Sequence, residues 1–228
     1  MKQLVLVMVV VSWQLAVLLP ARARPADRVV FLEPGQLKFE QAARGSWQVE
    51  STAPEIVRAR FFPAGEVQLQ AGKTGRALVL LDNRKIGEFR VWQVVVGKPG
   101  SPEKPDAAAL ATRCACRPDE EVGQLCTVKD TACLDFLGEY FSSHLVSSSQ
   151  VGVVYTVASA QLLLRRMSRQ LAKDGFSGVD LAFWGANLRV KARVGDEAER
   201  RRLLLAVWRY MVGRLVLDDA IEVGSTTR

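Results

Sequence analysis

The chain has 228 residues, 49% of them hydrophobic and 24% charged. This composition excludes a disordered or collagen-like polypeptide, and the length suits one sizeable domain or two small ones. Lys and Arg total 31 against 24 Asp and Glu, a formal charge of +7, and a single histidine, His144, leaves histidine-based catalysis with one candidate.

The first segment reads as a leader. Lys2 precedes an apolar run over residues 4–19, and Pro20-Ala21-Arg22-Ala23 places small residues two apart at a cleavage point. Residues 1–23 are therefore expected to form a secretory signal peptide cut after Ala23, which sends the chain to the periplasm. The apolar run is shorter than the roughly 20 residues a membrane helix needs.

Residues 27–97 carry short apolar or alternating stretches at 29–32, 37–39, 47–49, 56–62, 67–69, 77–81 and 89–96. Pro34-Gly35, Gly45, Pro63-Ala64-Gly65, the 72–75 turn and Gly87 separate them, so this region is expected to be a small all-β sandwich. Within it Val57, Ala59 and Phe61 alternate with Arg58, Arg60 and Phe62, the pattern of a strand with one packed face. Residues 98–105 hold three prolines and a glycine and read as a linker.

The next segment, 106–157, contains all four cysteines: Cys114, Cys116, Cys126 and Cys133. In an exported chain an even set implies two disulfides, with Cys114 and Cys116 each pairing with Cys126 or Cys133, since a bridge across one intervening residue closes a very tight ring. A four-thiolate zinc site is the alternative, but it usually shows paired C-x-x-C knuckles that this spacing lacks. A strand is expected over 125–129, a helix over 131–144 with Cys133, Phe136, Leu137, Tyr140 and Phe141 on one face, and a strand over 151–157.

Residues 158–224 have the order α-β-β-α-β. Leu162, Leu163, Met167 and Leu171 oppose Arg165, Arg166, Arg169 and Lys173 over 158–174, and Gly175 ends that helix. Two alternating strands flank the turn Gly185-Ala186-Asn187, Asp196 and Glu199 open a second helix in capping-box fashion, and a last strand covers 216–223. The fold class is thus multidomain α+β, an N-terminal β-sandwich followed by a small domain with two helices on one sheet face.

Sharper chemistry finds little support in these residues. Gly72-Lys73-Thr74 resembles part of a phosphate loop, but position 67 is Val where the motif needs Gly, and a strand follows where it needs a helix. His144 falls at a helix end with no acid nearby in sequence to orient it. Asp218 and Asp219 are adjacent on a strand and so point to opposite faces. No catalytic, cofactor or metal residue is assigned, and the chain is expected not to be an enzyme. Arg189, Lys191 and Arg193 on one strand, with Arg200 and Arg201 on the following helix, form a possible interaction surface that Asp218 and Glu222 can partly neutralise.

Two resemblances accompany these patterns. The run 67–82 with the closing strand 89–96 resembles the N-terminal region of pilus formation proteins, a family that precedes the secretin of Tad-type pili and related secretion systems. The α-β-β-α-β tail, ending in the Asp-x-Ile-x-Val run at 219–223, looks like a BON domain, although Lys191 stands where such repeats often carry a small residue. The resemblances imply a non-enzymatic periplasmic assembly component whose partners are a secretin or other envelope pilus and secretion subunits, with self-association possible and nucleic acid excluded. The membrane-inserting secretin barrel has no counterpart here, so the chain is expected to accompany a pore rather than form one. The alternative they leave is an envelope-binding module whose tail contacts anionic membrane lipid.

Overall fold

Glycines and Pro-Gly pairs break the first hundred residues into β-forming stretches too short for helices, and each stretch buries alternate side chains. The computed structural model describes residues 26–224 except 99, 101, 102, 148, 186 and 214. The expected leader with its cut after Ala23, parts of the linker and Ala186 of the tail turn lie outside the described residues. The chain is mixed α+β, with four helices and four small sheets among the described residues.

Seven strands come first: β1 (Arg28–Leu32), β2 (Leu37–Gln41), β3 (Gln48–Ser51), β4 (Val57–Phe62), β5 (Glu66–Ala71), β6 (Gly75–Asn83) and β7 (Glu88–Val96). They form a four-stranded sheet in the order β1-β7-β6-β3 and a three-stranded antiparallel sheet β2-β5-β4. β1 runs parallel to β7, while β3, β6 and β7 pair antiparallel. Val57, Val67 and Leu69 of the smaller sheet share one core with Val30, Leu32, Val79, Leu81, Trp92 and Val94 of the larger. Gly72 lets the chain pass close to the turn that precedes β4: a Cβ there would lie 2.4 Å from the Glu55 carbonyl oxygen. Close packing thus accounts for the glycine of the Gly72-Lys73-Thr74 turn.

β6 is buried on both faces. Leu78 and Leu80, with Phe89 and Val91 of β7, turn away from the first core and join a second one. That second core is built by α1 (Ala107–Cys114), β8 (Arg117–Asp119), β9 (Gly123–Val128), α2 (Thr131–Ser143), β10 (Val151–Tyr155), α3 (Val157–Lys173), β11 (Asp180–Trp184), β12 (Asn187–Val194), α4 (Glu197–Tyr210) and β13 (Val216–Val223). The four-stranded sheet is therefore the middle layer of the molecule.

Local signals position the helices. The Asp106 carboxylate accepts from Ala109 N–H and caps α1, and Asp130 accepts from Cys133 N–H at 2.8 Å to cap α2. Thr156 and Ser159 cap α3 reciprocally, and Ser159 Oγ also donates to the Val128 carbonyl at 2.8 Å, tying the helix start to β9. Leu163, Met167 and Leu171 of α3 are fully buried, as the spacing predicts. In the tail sheet β11-β12-β13, β11 is antiparallel to β12 and β13 is parallel to it. In the sheet β10-β9-β8, β10 runs parallel to β9. No described helix is long and apolar enough to cross a membrane.

Candidate interaction surfaces and the seam between modules

The cysteines pair as Cys114–Cys133 and Cys116–Cys126, 19 and 10 positions apart. Cys114 ends α1, and Ala115 takes a left-handed conformation (φ +47°) that turns the chain so that Cys116 faces β9. One bridge staples α1 to α2 and the other fastens the entry of β8 to β9. All four sulfurs are consumed, so the zinc alternative has no thiolate ligands.

The basic strand is paired along most of its outward face. Arg189 lies opposite Asp218 and donates from Nε to its carboxylate at 2.6 Å, and Arg193 lies opposite Glu222 with a 3.1 Å contact. Both pairs are partly or largely exposed, a setting in which an ion pair contributes about 0–1 kcal/mol. Lys191 faces Ala220 across the register and is exposed. The Arg189 guanidinium also sits 4.3 Å from the centre of the exposed Trp184 ring.

Arg200 does not lie on that surface. Its side chain is 1% exposed, enclosed between α4, β6 and β13. Nη1 donates to Asp82 Oδ2 at 2.6 Å, Nη2 to Asp82 Oδ1 at 3.3 Å, and Nε to Asp219 Oδ2 at 2.9 Å, with a further Nη2 bond to Asp219. Burial alone pushes the guanidinium pKa down, but the hydrogen bonds and charges of Asp82 and Asp219 outweigh it and the net direction is up. The group stays a cation. Arg201, more exposed, donates to Glu50 at 2.9 Å and Gln48 at 3.2 Å on β3, and Arg84 pairs with Glu197. Arg200 and Arg201, two of the residues read as an outward patch, thus stitch α4 to the middle sheet. A run of three arginines reads as solvated surface; the buried acid that receives Arg200 stands 118 positions earlier.

Asp219 faces Arg200 while Asp218 faces Arg189, so the two neighbouring acids do not meet. His144 caps α2: its ring stacks on Tyr140 at 4.3 Å, and Nδ1 lies 3.0 Å from the Tyr140 carbonyl oxygen and 2.8 Å from Ser143 Oγ. Among the described residues no group of three or more metal-ligating side chains is gathered.

Two surfaces emerge that the sequence reading did not single out. One is a groove of about 560 Å³ between β10, the start of α3 and the tip of the β11–β12 hairpin, lined by Val154, Val157, Leu164, Phe183 and Leu215. The other is the outward face of the β2-β5-β4 sheet. Its register sets three cross-strand rows, Leu37–Gln70–Arg58, Phe39–Gln68–Arg60 and Gln41–Glu66–Phe62. Leu37 and Phe39 are half exposed, the Phe39 and Phe62 rings are 6.1 Å apart, and Arg60 lies 5.2 Å from the Phe62 ring centre. The recurrence of Leu37 and Phe39, and of Arg58 and Arg60, at every second position is the sequence signal for this face.

No family model matches the chain, and no curated protein matches it. Among solved structures it is similar to the C-terminal domain of CdsD, the structural protein of the type III secretion system of Chlamydia trachomatis, at 13% identity and a TM-score of 0.28, over 44% of this chain and 50% of that one. Overlap at that level defines neither fold nor function.

Proposed function

We propose that this protein is an exported, non-enzymatic assembly component of a secretin-linked pilus or secretion apparatus, acting through protein–protein contacts. In this reading residues 27–97 are the β-sandwich of the pilus-formation type and residues 158–224 are a BON-like domain. One observation carries the proposal: the β strands and the helical tail are locked together by Arg200, with two disulfides in the segment between them, while sheet faces with apolar and charged side chains stay outward. A block built this way suits stacking against neighbours. The disulfides also fit an oxidising, extracytoplasmic compartment.

The test is fractionation combined with in-cell cross-linking. The expected result is recovery of the oxidised protein in the periplasmic fraction, cross-linked to a secretin or another envelope subunit. Recovery in the cytosol with free thiols, or an oxidised protein that cross-links to no envelope subunit, rejects the proposal. A second reading has its own observation: Trp184, Val216 and Lys191 lie on one outward face of the tail sheet, an apolar-plus-cationic combination suited to anionic lipid. Flotation with and without anionic lipid separates the two.

A further inference from the structure

We infer that the outward face of the β2-β5-β4 sheet is a docking surface for an acidic, apolar-bearing peptide segment of a partner protein. The inference rests on the assembly role proposed above and names the surface and partner chemistry it would use.

The strand register sets a grid of side chains on this face. Along β2 the face presents Leu37 and Phe39, along the central β5 the amides of Gln70 and Gln68, and along β4 the guanidinium groups of Arg58 and Arg60. Strands lie about 4.8 Å apart, so apolar and cationic columns are separated by about 10 Å, with an amide column between them. Among the described residues neither Arg58 nor Arg60 takes part in an ion pair, and the only carboxylate in the grid is Glu66, which accepts from the Gln41 amide at 3.2 Å. The tail sheet makes the contrast: there Arg189 and Arg193 meet Asp218 and Glu222 from their own sheet. The cations of the β4 column are left for carboxylates from elsewhere.

The chemistry selects among occupants. Exposed Leu37 and Phe39 call for apolar side chains, Arg58 and Arg60 for carboxylates, and Gln68 and Gln70 for backbone amides between them; an extended acidic segment lying across the strands supplies all three. A stacked sugar fits less well, because the Phe39 and Phe62 rings are tilted by 49° and Arg60 already lies over Phe62.

Fluorescence anisotropy on the oxidised full chain tests this, using a labelled synthetic peptide that alternates Glu with Leu and Phe. We expect saturable, salt-sensitive binding that weakens roughly tenfold in R58Q/R60Q and in L37S/F39S, is unchanged in K191Q/R193Q, and is lost when Lys replaces Glu in the peptide. All six substituted positions have exposed side chains, and circular dichroism checks that the variants stay folded. No binding, equal binding of the Lys peptide, or indifference to R58Q/R60Q overturns the inference. So does a finding that R58Q/R60Q abolishes self-association in sedimentation or flotation with anionic vesicles while leaving peptide binding intact. Failure here leaves the cross-linking result standing, and failure of the cross-linking leaves a measured peptide site without its proposed context.

Discussion

Replacing Arg200 by Met removes the one cation that two buried carboxylates share. The Asp82 and Asp219 side chains are 4% and 8% exposed, and Arg200 makes four hydrogen bonds to them. Without it both buried acids lose the cation they share, the situation in which loss of one partner costs about 3–5 kcal/mol. Removing the acids as well, in R200M/D82L/D219L, is expected to recover most of that loss, because the penalty comes from stranded charge rather than from missing attraction. R200K recovers little, since an ammonium cannot span two carboxylates with a planar fork. Urea unfolding followed by circular dichroism measures each value, and proteolysis across 97–106 reports whether the modules part. A loss below about 0.5 kcal/mol for R200M, within the range of ordinary surface substitutions, would refute the reasoning. So would a wild-type stability that falls steeply with added salt, which marks charges open to water.

Three further outcomes are expected. Opening the Cys114–Cys133 bridge by C114S/C133S should cost about 3 kcal/mol for a loop of this size, read as a lower urea midpoint, and peptide mapping of the native chain should recover the 114–133 and 116–126 linkages. Burial pushes the Tyr155 phenol far above its usual value, and its hydroxyl donates to the Val212 carbonyl. The unfolded chain therefore ionises first: stability is flat below about pH 10 and falls above it by up to ~1.4 kcal/mol per pH unit, and Tyr155→Phe should remove that part of the slope in alkaline melts. Gly213→Ala should lower the melting temperature by several degrees, because φ is +79° and the added Cβ would meet Val153 Cβ at 2.4 Å.

Elements whose stabilising pattern is local were legible from residue order. Alternation in Val57-Arg58-Ala59-Arg60-Phe61 marked β4, and the Leu163, Met167 and Leu171 stripe marked α3 to within a residue at each end. The α1 helix was missed because Ala107-Ala108-Ala109 carries no apolar stripe; its markers were the Asp106 cap, alanine propensity and the single i, i+4 pair Leu110 and Cys114. The parallel pairings β1–β7, β9–β10 and β12–β13 were equally hidden, since no turn joins parallel neighbours and nothing local encodes the register. Arg200 shows the limit most plainly. It sits between Glu199 and Arg201 in a charged stretch, and only the fold brings Asp82 and Asp219 to it. The same stretch shows how one run of like residues divides, with Arg201 on the rim reaching Glu50 and Arg200 enclosed.

That Asp219 follows Asp82 by more than half the chain has a consequence in time. Synthesis proceeds from the amino end, so Asp82 and its sheet exist long before β13 does. Until residue 219 arrives the Arg200 cation lacks one of its carboxylate partners, and the edge of β12 that β13 later covers is open. Closure of the joint around Arg200 is thereby deferred until β13 pairs with β12, and a chain lacking that strand would keep the joint unsealed.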